Sequence, residues 1–312
     1  MTGRTHRSPL LDLPRAVEAD GPDAGVAAHY GDPFREQKAL AAGDGFVDLS
    51  HRGVVSVTGP DRLSWLHSLT SQHLEQLPPH VWTQALVLSP QGHVEHEFAG
   101  YDDGETFWAH VEPGRAEPLV AWLDSMRFML RVEVADVSTD WAVLARGETS
   151  VELVERGRLA DVAVGAPCGT WAYDALRIAR GEPRFGVDTD HRTIPNEVGW
   201  IGTAVHLDKG CYRGQETVAR VHNLGRPPRR LVLLHLDGSV DALPQQGASV
   251  THDGQQVGVV GSTARHHELG PIGLALVKRS LPVEATLLAD GIAAAQEVVV
   301  DPDVGLHVRA RL

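Results

Sequence analysis

The hydrophobic positions of residues 54–69 change their period within a short distance. Val54–Val57 is a short apolar run, which predicts a strand. The segment Thr58–Asp61 follows, with Thr and Asp at the spacing of a capping box and a proline at the first helical turn. Leu63, Leu66 and Leu69 then recur at helical spacing. We therefore predict a strand that leads directly into a helix with an apolar stripe.

The next stretch predicts a meander of strands. Trp82–Leu88 has little polarity on either face, which is typical of a central strand. Pro90–Gly92 supplies a turn, and His93–Phe98 and Thr106–Val111 follow as further strands. The alternation of the second strand places Val94, His96 and Phe98 on one face and His93, Glu95 and Glu97 on the other. Because His93, Glu95 and His96 are divided between faces, a metal site is the weaker interpretation of this segment.

The C-terminal half predicts another helix and a small barrel. Trp171–Arg180 is helical in pattern and ends at Gly181, and Tyr173 and Arg177 are four residues apart on one face. After a linker at Pro227–Arg230, short β-rich segments alternate with Gly or Pro turns, which indicates an antiparallel barrel. These segments are Leu231–Leu236, Ser249–Thr251, Gln256–Ser262, Gly273–Val277 and Glu297–Val300. Strands and helices do not alternate regularly, so we predict an α+β fold.

Composition narrows the class of protein. The chain of 312 residues carries 28 basic and 41 acidic side chains, a net charge of −13 with neutral histidines. This balance disfavours direct nucleic-acid binding and binding to anionic membranes, which need clustered Lys and Arg. No apolar run approaches the ~20 residues that span a bilayer. We expect a cytoplasmic protein whose residues 1–44 are a polar, partly disordered lead-in.

One segment carries the strongest chemical signal. Cys211 lies between Lys209 and Arg213, and Gly210 and Gly214 flank it. The pattern predicts a helix over 215–222, which would place the thiol close to a helix N-terminus. Nearby cations and a helix N-terminus both favour a thiolate, so we predict Cys211, Lys209 and Arg213 as the catalytic group.

The other cysteine lacks these neighbours. Cys168 stands between Pro167 and Gly169 and is predicted to be structural. With two cysteines in the chain, a disulfide scaffold and a Cys-based zinc or iron–sulfur site within one chain are nearly excluded. We predict no bound metal.

The segment 209–216, Lys-Gly-Cys-Tyr-Arg-Gly-Gln-Glu, resembles the Lys-Gly-Cys-(Tyr/Phe)-x-Gly-Gln-Glu signature of YgfZ-type folate-binding proteins, relatives of the glycine cleavage T-protein. Further stretches resemble T-protein motifs in the same order. They are Asp48–His51, Val57–Asp61, Arg177–Pro183 and Pro195–Gly199. The resemblance covers about residues 45–300. It implies a three-lobed, cloverleaf-like fold, with two folate-binding lobes in 45–228 and a barrel in 229–312.

The resemblance also implies a function. YgfZ-type members bind tetrahydrofolate in a central hole and are associated with assembly or repair of iron–sulfur enzymes, including tRNA-modifying ones. A reduced folate and iron–sulfur client proteins are therefore the expected cofactor and partners. We expect an accessory protein rather than a steadily turning-over enzyme. The alternatives are a folate-dependent aminomethyltransferase or methyltransferase, and a redox sensor built on Cys211 alone.

Four side chains are the expected folate contacts. Glu197 matches the family glutamate that binds the pterin ring, whose aminopyrimidine edge offers two adjacent N–H donors to a carboxylate. Tyr173 matches an aromatic residue of the family pocket, and Arg177 and Glu97 complete the set. His96 and Glu97 stand where the T-protein carries two aspartates, one of which is its general acid or base. This departure favours folate binding without aminomethyl transfer.

Overall fold

A computed structural model describes residues 7–305. The strands in chain order are β1 Val17–Glu18, β2 Ala27–His29, β3 Gly45–Asp48, β4 Gly53–Thr58, β5 Thr83–Leu88, β6 Val94–Asp102, β7 Thr106–Val111, β8 Glu133–Asp136, β9 Trp141–Arg146, β10 Ser150–Glu155, β11 Ala166–Cys168, β12 Arg229–Leu236, β13 Ser249–His252, β14 Gln255–His266, β15 Gly270–Lys278, β16 Leu287–Ala289 and β17 Ile292–Val298. The helices are α1 Pro33–Ala41, α2 Arg62–Leu69, α3 Ala116–Ser125, α4 Leu159–Val162, α5 Thr170–Ala179 and α6 Gln215–Asn223. Within residues 7–305, no helix is long and apolar enough to cross a membrane.

The chain forms two compact units and passes between them repeatedly. The first unit holds the described residues up to Leu63, together with Leu77–Trp82 and Phe98–Leu176. The second holds Ser64–Gln76, Thr83–Glu97 and the residues from Arg177 onward. Strand β6 and helix α5 each contribute residues to both units.

The first unit contains two larger sheets besides the two-stranded sheet of β1 and β2. One has the order β10-β9-β3-β11, in which β11 pairs with β3 in parallel and the other pairs are antiparallel. In the other, the C-terminal half of β6 pairs with β7, which pairs with β4, which pairs with β8. The inner strands β3, β4 and β9 are buried along almost their whole length, as expected for strands covered on both faces. The hydrophobic core of the first unit includes Leu40, Val47, Leu49, Val143, Ala145 and Cys168.

The N-terminal segment corrects one expectation. Residues 8–44 were predicted to be a partly disordered lead-in, but they contain β1, β2 and α1. The side chain of Asp32 caps α1 by accepting a hydrogen bond from the Arg35 amide at 3.0 Å. Val26 and Leu40 are completely buried, so widely spaced apolar residues anchor a segment whose average composition is polar. The first six residues lie outside the described range, and the three-part division of the chain stays a prediction.

The second unit contains the predicted barrel. Six antiparallel strands close in the order β12-β15-β14-β13-β16-β17, which confirms the α+β fold with a C-terminal barrel. The barrel interior is lined by Val232, Leu234, Val250, Val260, Ala275, Val277 and Leu287. The sequence pattern missed β16 and placed the last strand too late, at 297–300. Ala293, Ala294 and Ala295 occupy β17, and alanine is a poor strand former, so packing inside the barrel decides the conformation there.

Candidate functional site

The loop that carries Cys211 leads into α6 in the second unit. Gly214 is the residue before the helix and has a left-handed φ of 81°. A Cβ atom at this position would lie 2.5 Å from the carbonyl oxygen of Ser89, in the turn between β5 and β6. In the same turn, a Cβ on Gly92 would lie 2.9 Å from the Cβ of Thr217. Two glycines thus allow the loop and the turn to touch backbone to backbone.

The thiol that the loop carries is exposed. Cys211 is a free cysteine on the surface, four residues before the first residue of α6. Cys168 is also free but completely buried, and its Sγ lies 3.3 Å from the carbonyl oxygen of Glu36. Burial raises the pKa of the Cys168 thiol to about 12. The structure therefore agrees with the structural interpretation of Cys168 and leaves Cys211 as the accessible thiol of the two.

Lys209 is buried and attached to backbone carbonyl groups. Its side chain is only 5% exposed, and its ammonium donates hydrogen bonds to the carbonyl oxygens of His67, Thr70 and, at 3.2 Å, Gln72. Its Nζ also lies 5.1 Å from the centre of the Tyr212 ring. The three N–H groups of the ammonium are thus used on the backbone. Lys209 thus connects the loop to the residues at and just after the end of α2, and its part in chemistry at the thiol stays a prediction.

Arg213 lies on the solvent side of the same loop. Its Nη1 is 3.1 Å from Oε2 of Glu95, the second residue of β6, and both side chains are more than a third exposed. An exposed ion pair of this kind contributes about 0–1 kcal/mol to stability. The prediction that Arg213 acts on the thiol stays a prediction, and the geometry adds a contact between the loop and β6.

Three histidine rings pack near the buried end of the loop. His67 and His73 have ring centres 4.7 Å apart, and His73 and His206 have centres 5.4 Å apart. Burial, followed by the charge of Lys209, lowers the pKa of His67. Among residues 7–305 no group of three or more His, Cys, Asp and Glu side chains could hold a metal ion.

Strand β6 carries His96 and Glu97, which the sequence resemblance predicts to stand where the T-protein has two aspartates. Val94 and Phe98 are buried, while His96 and Glu97 are partly exposed. Oε1 of Glu97 accepts a hydrogen bond of 3.0 Å from the amide of Gln84 on β5. This bond fixes the direction of the carboxylate, and a Glu side chain carries it one methylene further from the strand than an Asp would.

Glu197 has a partner that the sequence pattern did not reveal. It is 1% exposed, and its two oxygens accept hydrogen bonds of 2.8 Å each from Nε and Nη2 of Arg229. Arg229 also donates to Asp190, with Nη1–Oδ2 at 2.6 Å. These carboxylates raise the pKa of Arg229, with the hydrogen bond to Glu197 as the largest cause, and the pKa of Asp190 is lowered. Arg229 was assigned to a linker, because its partners are more than 30 residues away along the chain.

Arg177, the other predicted folate contact of the second unit, is also occupied by protein partners. Its Nη1 lies 3.1 Å from Oδ2 of Asp188, and its Nη2 donates to the Ser262 hydroxyl at 2.6 Å. Oδ1 of Asp188 accepts a further bond of 2.6 Å from the Ser262 amide. The guanidinium is buried and joins the end of α5 to strand β14 of the barrel. The guanidinium thus links two elements of the second unit, and a folate contact from Arg177 stays a prediction.

Tyr173 belongs to the first unit and is half-buried there. The guanidinium carbon of Arg52 lies 5.7 Å from the centre of its ring, within the range of a cation–π contact. Arg52 is itself buried and forms an ion pair of 3.1 Å with Glu112. The ring also packs against the core of the unit. The sequence indicated the aromatic residue but gave no signal for the arginine beside it.

The fold and these residues define a class: an α+β protein with a C-terminal six-stranded barrel and one exposed thiol on a loop anchored by glycine, lysine and arginine. The chain matches the family described as the GCVT N-terminal domain over residues 32–162 and the glycine cleavage T-protein C-terminal barrel domain over residues 229–312. The chain belongs to the glycine cleavage T-protein superfamily.

Individual relatives agree with this assignment. An aminomethyltransferase of Rubrobacter xylanophilus is 28% identical, with 88% of each chain covered. A putative chloroplastic transferase of Arabidopsis thaliana is 24% identical, with 82% of this chain and 70% of the relative covered. The crystal structure of the glycine cleavage system aminomethyltransferase T from Bartonella henselae superposes with a TM-score of 0.77 at 18% identity, over 93% of this chain and 95% of that one. This structural likeness confirms the T-protein fold.

Proposed function

We propose that the protein is a YgfZ-type accessory protein that binds a reduced folate and supports assembly or repair of iron–sulfur enzymes through Cys211. The observation that carries the proposal is the exposed Cys211 thiol on an anchored loop within the T-protein fold. An accessible thiol on a fixed loop can meet a protein partner, whereas a thiol buried like that of Cys168 cannot. A cytoplasmic location and iron–sulfur client proteins belong to the same proposal.

The folate would bind in the second unit, with its pterin ring near Glu197. Each carboxylate oxygen of Glu197 already accepts a bond from Arg229, and Oε2 accepts a further bond of 3.2 Å from the Ile194 amide. Since a carboxylate has about four lone-pair sites, a ring that takes both oxygens must displace Arg229 at least in part. Arg229 would then keep Asp190 as its partner. Ligand binding is therefore proposed to exchange one charge-assisted contact for another.

Titration with tetrahydrofolate tests the folate part of the proposal. We expect saturable quenching of the fluorescence of the seven tryptophans. Glu197→Gln should weaken the affinity by at least about tenfold, because an amide has one acceptor oxygen and cannot receive two parallel N–H bonds. Asp190→Asn is the matched control, since it also removes a carboxylate partner of Arg229, and should change the affinity by less than about threefold. Absence of saturable binding by any reduced folate would contradict the proposal.

An aminomethyltransferase is the second candidate, favoured by the names of the bacterial relatives. The His96–Glu97 pair argues against it, because a general acid must reach the folate nitrogen and Glu97 is turned toward Gln84. The discriminating assay is formation of methylenetetrahydrofolate from a protein-bound methylamine donor. Turnover that disappears in Glu97→Gln would favour the enzyme over the accessory protein.

A further inference from the structure

Three backbone carbonyl groups meet at the end of α2: that of His67 in its last turn and those of Thr70 and Gln72 just beyond it. The Leu66 carbonyl accepts from the amide and hydroxyl of Thr70, at 3.0 and 2.8 Å. The carbonyls of His67, Thr70 and Gln72 receive the ammonium of Lys209. The last carbonyls of a helix have no intrahelical partner and form the negative end of its dipole. A buried cation at this point satisfies both the hydrogen-bond and the charge requirement.

Lys209 and Cys211 are separated by one glycine, so an anchor at the lysine restrains the thiol. Gly210 has open space around its Cα and a negative φ, and gives no anchor of its own. On the other side of the thiol, Tyr212 is 8% exposed and its carbonyl accepts from the Gln215 amide at 3.2 Å. Along the chain, the exposed Cys211 thus lies between the buried side chains of Lys209 and Tyr212.

A second contact joins the same two segments. The His206 amide donates to the Ser71 carbonyl at 3.0 Å, and the His206 ring packs on His73. These contacts lie at the start of the loop, and Lys209 closes it three residues later. The loop is therefore attached to the residues after α2 at two points.

We propose that Lys209 is a positioning residue that locks the Cys211 loop to the C-terminal end of α2 and thereby holds the thiol at the surface. This role differs from the electrostatic activation of the thiol that the motif suggests, because the ammonium donates its hydrogen bonds to three backbone carbonyls. The importance of the thiol rests on the proposed function, whereas the lock itself can be measured without folate or a client protein.

Amide hydrogen exchange of the whole protein, without folate, tests the lock. Lys209→Met keeps the length of the stem and removes the charge and the donors. We expect the amides of His206 and Gln215 to exchange at least about tenfold faster, while amides in the barrel keep their rates. Arg213→Met removes the cation on the other side of the thiol and should leave these two rates within about twofold. Equal rates in Lys209→Met and the unmodified protein would overturn the proposal.

The dependence on pH separates a lock from general packing. Burial lowers the pKa of Lys209 to about 8. Loss of its proton removes one donor and the charge, so protection of the loop, corrected for intrinsic exchange, should fall as the pH rises from 7 to 9. Two titratable side chains face the ammonium, His67 and Tyr212. The pKa of His67 is lowered, and the rings of His73 and His206 stand behind it. Burial raises the pKa of Tyr212 to about 12. His67 and Tyr212 therefore stay neutral in this range.

Lys209→Arg completes the test, because a guanidinium keeps its charge at these pH values. It should restore most of the protection and remove the pH dependence. Should the arginine not fit, the exchange rates of Lys209→Met at pH 7 still decide for or against the lock. Tetrahydrofolate titration of Lys209→Met distinguishes the two proposals. Normal folate affinity with a faster loop supports the lock, whereas absent folate binding in the unmodified protein contradicts only the proposed function.

Discussion

At the scale of single residues, the two cysteines have opposite surroundings in one fold. Cys168 packs in the core of the first unit with its thiol against backbone oxygens. Cys211 is exposed on a loop whose neighbours point inward or pair with β6. Reactivity of a thiol follows its access to solvent and its ionisation. Burial acts against both for Cys168.

The contrast predicts the outcome of thiol chemistry. One equivalent of a thiol reagent should react quickly with the folded protein, and Cys211→Ser should abolish this phase while denaturation reveals Cys168. The same variant should keep folding and folate affinity, because its side chain is exposed and the change is nearly isosteric. It should lose the cellular support of iron–sulfur enzymes. Full complementation by Cys211→Ser would contradict the proposed role of the thiol.

At the scale of elements, the loop, the β5–β6 turn and α6 form a contact that depends on glycine. The φ of Gly214 is in the left-handed region, and the Ser89 carbonyl occupies the place of a Cβ. Gly210 in the same loop has neither feature. The two glycines of the motif therefore have different reasons to be there.

A pair of alanine substitutions measures this difference. Gly214→Ala should lower the free energy of unfolding by about 1–3 kcal/mol, since the left-handed conformation and the contact with the Ser89 carbonyl both oppose a Cβ. Gly210→Ala should change the free energy of unfolding by less than about 1 kcal/mol. A small increase is consistent with this prediction, because alanine reduces the conformational freedom of the unfolded chain. Urea unfolding of both variants provides the comparison. Equal losses would show that the backbone approach at Gly214 does not matter.

The elements also show how far sequence reasoning reaches. Strands with alternating patterns and helices with clear stop signals, such as β6 and α6, could be predicted because their signals are local. The Ala-rich β17 could not be, because its conformation depends on closing the barrel. The hydrogen-bond partners of Lys209, Arg177 and Glu197 could not be predicted from the sequence either. A side chain's charge is visible in the sequence, but the group that it meets tens of residues away depends on the tertiary fold.

At the scale of the whole molecule, a buried neutral histidine adds to the pH dependence of stability. His110 at the end of β7 is buried, and its ring packs 5.6 Å from that of Trp82. Burial is the largest cause that lowers its pKa, to about 3, and the nearby charge of Arg52 lowers it further. The folded protein thus keeps His110 neutral at pH values where an unfolded chain binds a proton.

The sign of the effect on stability follows from this difference. Above the ordinary histidine pKa of about 6.5 both states are neutral, and the contribution of His110 to stability is fully present. As the pH falls from about 6.5 toward 3, only the unfolded state gains the proton, so stability decreases by up to about 1.4 kcal/mol per pH unit from this group. Urea unfolding between pH 7 and 4 should show a shallower acid decline for His110→Leu than for the unmodified protein. Parallel declines would contradict the assignment.

The lock between Lys209 and the end of α2 also has a consequence for synthesis of the chain. The ammonium donor is 139 residues away from its Thr70 acceptor. A ribosome that adds about 5–20 residues per second delivers the lysine roughly 7–28 seconds after the threonine. During that interval the segment Ser64–Gln76 lacks the residues of the second unit that it contacts in the folded protein, including Lys209. Nascent chains of this protein therefore carry an unfinished surface while these 139 residues are added, and a chaperone has time to recognise it before Cys211 has left the exit tunnel.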